Sequence, residues 1–348
     1  MLPFISLLGW LLIAVPHAQI ADRVLTSGTM PSVFADQQGA LHLTFGRGDT
    51  VFYAVSTNAG ATFGVPETAG VVPNLVAHAK RGPQVSANDQ FVVITAVDKG
   101  GTLHSFSLDR ATRRWRAGKP VTDVPDVAKE GFQGLAVTGD GAFHAAWLDV
   151  RWGKQKIAGA TSTDGGLTWS ANRMLYASPD TTVCECCRLS MAAAGKDVYI
   201  QFRNYLGGNR DLYLLHSADG GRTYAPAQKL GTGTWKLNAC PMDGGTVALQ
   251  ADGKPLTVWR REGTVYQCQP GQAEQAVTEG RNCTLAVAAS GPVLAWEHRG
   301  TLHVRSTGGQ SVAVGQGQVP SLAVSGSSAV CVWEQDKQVR VATVTLTK

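Results

Sequence analysis

The chain has 348 residues, of which 44% are hydrophobic and 16% are charged. This composition excludes a disordered chain, and the length admits either two domains or one large all-β domain. The net charge is +5 without a run of Lys and Arg, so no nucleic-acid partner is indicated, whereas a mild positive excess suits a small acidic ligand.

The first segment along the chain is apolar from Ile5 to Val15. This stretch is shorter than the roughly 20 residues that cross a bilayer, and it has the length of a signal-peptide core. We therefore predict a signal peptide over residues 1–21, followed by a single exported domain, periplasmic or secreted, over 22–348 with no membrane span. An uncleaved membrane anchor is the alternative, because no Lys or Arg precedes the stretch.

From residue 23 onward, short apolar runs alternate with turns rich in Gly, Asp, Asn and Pro, a pattern typical of strands. One run in each unit ends in an aromatic or small residue before a charged turn, at Phe45, Ala96, Trp147, Phe202, Trp259, Trp296 and Trp333. Each such run has an apolar run before it and another after it, and most units show a fourth. Seven units of about four strands predict an all-β, seven-bladed β-propeller, with units starting near Pro31, Pro83, Gly134, Leu189, Thr246, Thr284 and Pro320.

The ends of the chain predict how the ring closes. The last unit stops after its third strand, at "RVATVTLTK", whereas "RVLTS" at 23–27 belongs to no unit. We expect "RVLTS" to supply the missing fourth strand, because closure removes an open sheet edge. A six-bladed ring is the alternative, if the two short C-terminal units merge.

A polar turn recurs between third and fourth strands, as "STDGGLTW" at 162–169 and "SADGGRTY" at 217–224. "STNAGATF" at 56–63 is a third copy with Asn in place of Asp. The Asp carboxylate can accept backbone N–H groups of the turn, and Gly supplies a positive φ. The terminal aromatic can pack between blades. We therefore assign Asp164 and Asp219 a structural role.

These turns resemble the Asp-box, or BNR repeat, of the sialidase-like β-propellers, and the likeness in pattern covers roughly residues 28–230. The resemblance implies an exo-sialidase-like glycoside hydrolase with a tyrosine nucleophile, an aspartate acid/base and an arginine triad that binds the sugar carboxylate. It places Arg47 and Asp49 in the loop that carries the second arginine and the aspartate, and makes Asp49 and Tyr205 the candidate catalytic residues. Thr29 departs from the pattern, because it stands where the first arginine would be.

The loops between second and third strands should share one face with the inter-blade loops, so their many charges meet at one mouth of the ring. The guanidinium group of arginine can donate two parallel hydrogen bonds to one carboxylate or phosphate, so these arginines favour an acidic glycan or another anionic small ligand. Solvated loop charge is the alternative for any single residue, and no motif selects Tyr205 over Tyr176 or Tyr266. The candidate substrate-binding residues are Arg47, Asp149, Arg151, Arg203 and Arg210. A non-catalytic propeller that binds a glycan, a protein or a metal is the alternative function.

Seven cysteines form an odd set, so at least one lies outside any intramolecular disulfide. Three of them, in "CECC" at 184–187, precede the first strand of unit four. Cys240 and Cys283 occupy the same place in units five and six. Because first strands of consecutive blades lie side by side, these cysteines should cluster at the mouth, whereas Cys268 and Cys331 fall in predicted strands of the core.

Three interpretations of the cluster remain open. We favour a disulfide from Cys186 or Cys187 to Cys240, tying two neighbouring blades together. The second is a soft-metal site for Cu or Zn, built by Cys184, Cys186, Cys187 and Cys240. The third is a reactive thiol without metal. No cofactor is otherwise required by the sequence.

Overall fold

A computed structural model describes residues 22–346. The signal peptide predicted over 1–21 lies outside the described residues. Within the described part, the secondary structure consists of strands, turns and bends. Over the same range, no helix is long and apolar enough to cross a membrane.

Twenty-eight strands are described. The first is β1 (Arg23–Ser27). Blade 1 contains β2 (Thr29–Ala35), β3 (Leu41–Arg47), β4 (Thr50–Ser56) and β5 (Glu67–Val71). Blade 2 contains β6 (Gln84–Ala87), β7 (Phe91–Val97), β8 (Leu103–Asp109) and β9 (Arg114–Ala117). Blade 3 contains β10 (Gln133–Val137), β11 (Phe143–Asp149), β12 (Lys156–Ser162) and β13 (Arg173–Tyr176).

The second half of the chain continues the same pattern. Blade 4 contains β14 (Ser190–Ala194), β15 (Asp197–Arg203), β16 (Leu212–Ser217) and β17 (Gln228–Lys229). Blade 5 contains β18 (Gly245–Leu249), β19 (Pro255–Arg261), β20 (Thr264–Cys268) and β21 (Gln275–Glu279). Blade 6 contains β22 (Arg281–Ala288), β23 (Gly291–His298), β24 (Thr301–Ser306) and β25 (Val312–Gln316). Blade 7 begins with β26 (Gln318–Ser325), β27 (Ser328–Gln335) and β28 (Gln338–Thr345).

Each blade is an antiparallel four-stranded sheet, and the first strands of neighbouring blades contact one another around the ring. The predicted closure is confirmed. Strand β1 pairs with β28, Arg23 opposite Val341 and Ser27 opposite Gln338, and so becomes the outer strand of blade 7. The molecule is a seven-bladed propeller, so the six-bladed alternative is wrong.

The hydrophobic core lies between the blades. Seven clusters of buried apolar side chains occur, one at each junction of adjacent blades. The second strand of a blade is covered on both faces by its neighbours, and every residue of β11 is buried. This double covering explains why second strands read as continuous apolar runs in the sequence, rather than as alternating ones.

The connections between blades differ around the ring. Blades 2, 3, 4 and 5 are preceded by long inter-blade loops, at 72–83, 118–132, 177–189 and 230–244. Blades 6 and 7 are preceded by one residue each, Gly280 and Gly317, at φ +147° and +152°. A Cβ on Gly317 would lie 2.3 Å from Cδ1 of Trp333, so only glycine fits beneath this ring. The mouth is therefore bordered by long loops at blades 2 to 5 and by only short connections at blades 6 and 7.

The recurrent polar turns hold themselves together as expected of structural turns. Asp164 Oδ1 accepts the N–H groups of Leu167 and Thr168 at 3.1 and 2.9 Å, and the Oγ of Ser162 at 2.8 Å. The aromatic at the end of the turn, Trp169, packs into the junction of blades 2 and 3. Asp164 Oδ2 accepts a hydrogen bond from the Thr168 hydroxyl, so both carboxylate oxygens are engaged within the turn, which supports the structural role given to Asp164.

Asp36 forms a buried polar link between blades 1 and 2. Its carboxylate receives hydrogen bonds from the Ala40 N–H at 2.8 Å and from Arg110 at 2.9 Å, and lies 3.1 Å from Nε2 of His42. Burial acts to raise the pKa of Asp36, but these contacts outweigh burial and lower that pKa to about 2. The ionised carboxylate therefore stabilises the folded state.

Candidate functional site at the channel mouth

The four cysteines of two inter-blade loops meet at the mouth of the channel. Cys186 and Cys240 form a disulfide with a Cα–Cα distance of 6.2 Å. Cys184 Sγ lies 3.4 Å from Cys187 Sγ and 3.7 Å from Cys186 Sγ. We call Cys184, Cys186, Cys187 and Cys240 the sulfur cluster. The predicted clustering and the favoured disulfide are both confirmed.

The other three cysteines do not belong to this cluster. Cys283 belongs to strand β22 rather than to a loop, and its buried side chain packs in the junction of blades 5 and 6. Its backbone carbonyl accepts a hydrogen bond from Arg188 at 3.2 Å, so Cys283 lies at the mouth end of β22 with its thiol outside the sulfur cluster. Cys268 and Cys331 lie in strands at other junctions, as predicted.

Two arginines of blade 4 surround the sulfur cluster. Arg210 Nη1 donates to Cys184 Sγ at 3.1 Å. The hydrogen bond between Cys184 and Cys187 and the positive charges of Arg203 and Arg210 lower the pKa of Cys184 to about 6, against the effect of burial. Burial raises the pKa of Cys187 well above its usual range. The pair therefore combines one thiol that ionises readily with one that resists ionisation.

A set of basic side chains borders the same mouth. Lys80, on the loop before blade 2, reaches the loop before blade 5, where its Nζ donates to the carbonyl of Met242. Burial and the charges of nearby arginines, Arg188 first among them, lower the pKa of Lys80, and Asp243 opposes this. We call the following residues the cationic rim: Lys80, Arg188, Arg260, Arg281 and Arg299.

The rim carries more positive than negative charge. Arg260 Nε lies 2.7 Å from Asp243 Oδ2, and Arg281 Nε lies 2.7 Å from Glu297 Oε2. Glu279 is the third carboxylate nearby. Five basic groups against these three carboxylates leave a net charge of +2 if all are ionised, so the rim favours an anion.

Two cavities adjoin the rim. One, of about 670 Å³, follows the ring axis between the seven inner strands and is lined partly by apolar side chains such as Met191 and Val247. The other, of about 480 Å³, lies between blades 5 and 6 and is lined by Arg260, Arg281, Arg299 and Glu297 among others. Both volumes are in the range of small-molecule sites, roughly 300–1,000 Å³.

Arg203 differs from the exposed loop charge expected from sequence. Its side chain is buried, with 2% of the residue exposed. Its guanidinium donates to the carbonyls of Asp243, Arg210 and Arg260, at 3.1, 2.6 and 2.9 Å. These bonds tie blade 4 to blade 5, which assigns Arg203 to holding the mouth together.

The other arginines proposed for substrate are also engaged within the protein. Arg151 pairs with the fully buried Asp149 at 2.9 Å and with Asp123 at 2.6 Å. Arg210 spans the loop carbonyl of Leu237 and the sulfur of Cys184. Their part in binding a substrate stays a prediction.

The two candidate catalytic residues belong to blades that are not neighbours. Asp49 is exposed at the β3–β4 turn of blade 1, where its carboxylate accepts the N–H of Asn74. Arg47, beside it, stacks on Phe52 and donates to the carbonyl of Ser27. Tyr205 belongs to blade 4, under the guanidinium of Arg210 at 4.9 Å. Two blades separate blade 1 from blade 4 in one direction and three in the other.

Sequence reasoning missed most of the rim. Lys80 and Arg188 lie in inter-blade loops whose path across the mouth is not set by any local pattern. The sequence did contain one signal, because Arg188 follows "CECC" directly and its position was therefore tied to that of the cysteines.

No protein-family model and no curated protein sequence matches this chain. Solved structures do match. An α-L-arabinanase of Penicillium chrysogenum, complexed with arabinobiose, has a TM-score of 0.55 at 12% identity over 93% of this chain and 97% of its own. A virginiamycin B lyase of Staphylococcus aureus, with quinupristin, has a TM-score of 0.55 at 10% identity, over 93% of this chain and 99% of its own.

A Hadza microbial sialidase is similar over 92% of this chain and 66% of its own, with a TM-score of 0.50 at 13% identity. These neighbours include a hydrolase, a lyase and a sialidase on one architecture. At such identities the likeness shows the propeller fold, and function has to be argued from the site.

Proposed function

We propose that this chain is an exported propeller that binds an acidic saccharide at the cationic rim. The observation that carries the proposal is the convergence of basic side chains from blades 2, 4, 5 and 6 on one mouth, beside cavities of ligand size. A sugar carboxylate or sulfate could receive bidentate hydrogen bonds there from an arginine. The saccharide-complexed arabinanase of the same fold makes a glycan the first ligand class to test.

Export is part of the same proposal. Its support is the predicted signal peptide together with the disulfide between Cys186 and Cys240. Disulfides persist in oxidising compartments and are rare in the cytosol.

Exo-sialidase activity is the finer form of the proposal, and its support is weaker. The first arginine of the sialidase pattern is replaced by Thr29, whose hydroxyl donates to the carbonyl of Gly46. Asp49 and Tyr205 lie in blades 1 and 4, and their roles in hydrolysis stay predictions. Because Thr29 replaces the first arginine, we propose saccharide binding as the main function.

The test is calorimetric titration of the purified protein with sialyllactose, a glucuronic-acid oligosaccharide and a sulfated oligosaccharide, with lactose and arabinobiose as neutral controls. We expect binding of at least one acidic saccharide, weakening as salt is added, because exposed charges are screened. Released sugar is measured in parallel. Equal affinity for acidic and neutral saccharides, or no binding of either, would contradict the proposal.

Two variants locate the site. Arg299→Ala removes an exposed rim charge without leaving a buried carboxylate unpaired, and should weaken acidic-saccharide binding about tenfold, the usual effect of one hydrogen bond to a charged group. Lys254→Ala is the matched control, because Lys254 is also exposed but follows a β18–β19 turn on the opposite face. A similar loss in both variants would indicate general attraction rather than a site.

A further inference from the structure

The sulfur cluster is more than a disulfide. Cys184 and Cys187 keep free thiols next to the bridge, and each has only 2% of its surface exposed. Their sulfur atoms are 3.4 Å apart. Two sulfurs bound to one metal at the zinc–thiolate distance and a tetrahedral angle would be about 3.8 Å apart. A shift of a few tenths of an ångström would therefore let both contact one ion.

The donors around this point are soft. Among the described residues, the potential metal-ligand group at this position consists of cysteines alone. Met242 packs against them and can add a thioether. Thiolate and thioether donors select Cu(I), zinc or iron–sulfur clusters over hard cations.

Charge and ligand number distinguish among these metals. Two thiolates and a thioether make three donors with a charge of −2, whereas structural zinc takes four ligands and iron–sulfur clusters usually take four thiolates. Arg210 donates to Cys184 Sγ at 3.1 Å, so the site already holds one positive charge in direct contact. A monovalent ion leaves the complex at −1, which this guanidinium stabilises. A divalent ion neutralises the thiolates and loses that attraction.

We propose that Cys184 and Cys187, with Met242 as third donor, bind one Cu(I) ion beside the Cys186–Cys240 disulfide. Binding replaces the proton of each thiol by a bond to copper, so two protons are released and no electron is transferred. The disulfide acts as a positioning element. It fastens the loop that carries Cys184 and Cys187 to the loop that carries Met242, two residues after Cys240.

The test is an anaerobic titration of the purified, disulfide-intact protein with Cu(I), in competition with the chromogenic chelator bicinchoninate. We expect one tightly held Cu(I) per chain, and X-ray absorption with sulfur alone in the first shell. Cys184→Ser and Cys187→Ser should each abolish this binding. Met242→Leu should weaken it about tenfold, the scale on which groups close to a metal site alter affinity. Cys268→Ala, which removes a buried thiol at another junction, should bind as wild type.

A second measurement does not depend on the folding of variants. Because Cys184 and Cys187 are nearly buried, native wild-type protein is treated with N-ethylmaleimide until both are labelled in the copper-free sample, a sample with Cu(I) is treated for the same time, and the modified cysteines are identified by peptide mass. Cu(I) should protect Cys184 and Cys187 and leave labelling of other cysteines unchanged. The proposal is overturned if Cu(I) protects neither, if zinc binds one per chain while Cu(I) does not, or if the purified protein carries a second disulfide between Cys184 and Cys187.

Discussion

Removing the disulfide between Cys186 and Cys240 should destabilise the ring substantially. The two residues are 54 positions apart in sequence and join the loops before blades 4 and 5. For a closed loop of this length, the chain-entropy model of disulfide stabilisation gives about 4 kcal/mol. Native proteins are typically stable by only about 5–15 kcal/mol. The double variant Cys186→Ser/Cys240→Ser should therefore lose a large share of its stability, with Tm lowered by roughly 5–15 °C.

Urea denaturation followed by tryptophan fluorescence measures this effect. Wild type is compared with the double variant, each with and without reductant, with a copper chelator present throughout to keep metal binding out of the comparison. Reductant should move the wild-type midpoint to that of the variant and leave the variant unchanged. Cys268→Ala, which lacks a thiol outside the bridge, should keep the wild-type response to reductant.

One result would refute the reasoning. If mass spectrometry shows the bridge fully reduced while the wild-type midpoint is unchanged, the loops before blades 4 and 5 are held by other contacts. Loop-closure entropy would then not be the source of the stabilisation.

Three further predictions concern the scaffold. Gly317→Ala should destabilise the protein by about 2–3 kcal/mol, because the added Cβ would clash with Trp333. Gly326→Ala is the control: Gly326 also has a positive φ but faces open space, so its substitution should cost about 1 kcal/mol. Equal shifts in Tm for the two variants would argue against the steric explanation. Asp36 has a folded pKa below its unfolded value, so its contribution is complete above about pH 4 and is lost as the pH falls toward 2. Asp36→Asn should therefore flatten the acid limb of a stability–pH curve, and an unchanged limb would count against this. Asp164→Ala should lower stability by about 1–2 kcal/mol, because hydrogen bonds within the turn are lost. Binding of saccharide and Cu(I) should not change, and a binding defect would contradict the structural role of Asp164.

Much of the fold could be predicted from sequence, because the determining signals are local. Apolar runs separated by turns rich in Gly, Asp and Asn mark the strands, and the repetition of this unit predicts the ring. The disulfide to Cys240 could be anticipated for a geometric reason. Once the units are known, consecutive first strands must be neighbours, and the residues that precede them must meet.

The site could be predicted only in part, because side-chain partners depend on loop paths. Arg203 is the last residue of the second strand β15, beside the charged loop that follows, but three backbone carbonyls from separate segments enclose its guanidinium. Lys80 crosses from one inter-blade loop to another, 162 positions away. The resemblance to sialidases gave Asp49 a position in a loop, but no motif selects Tyr205 over Tyr176 or Tyr266, so the catalytic roles of Asp49 and Tyr205 stay predictions.

The closing strand has a consequence for how the molecule is made. During synthesis from the N-terminus, residues 23–27 stay without their partner until residues 338–345 have emerged. The earlier blades can form in order, each against the one before it, but the ring stays open until blade 7 is complete. Until then, the faces of blades 1 and 6 that pack against blade 7 are uncovered. Such non-local pairing slows folding and leaves apolar surface open to aggregation. Deleting the five residues of β1 should therefore lower the yield of folded protein by more than the loss of its pairing with β28 alone would predict.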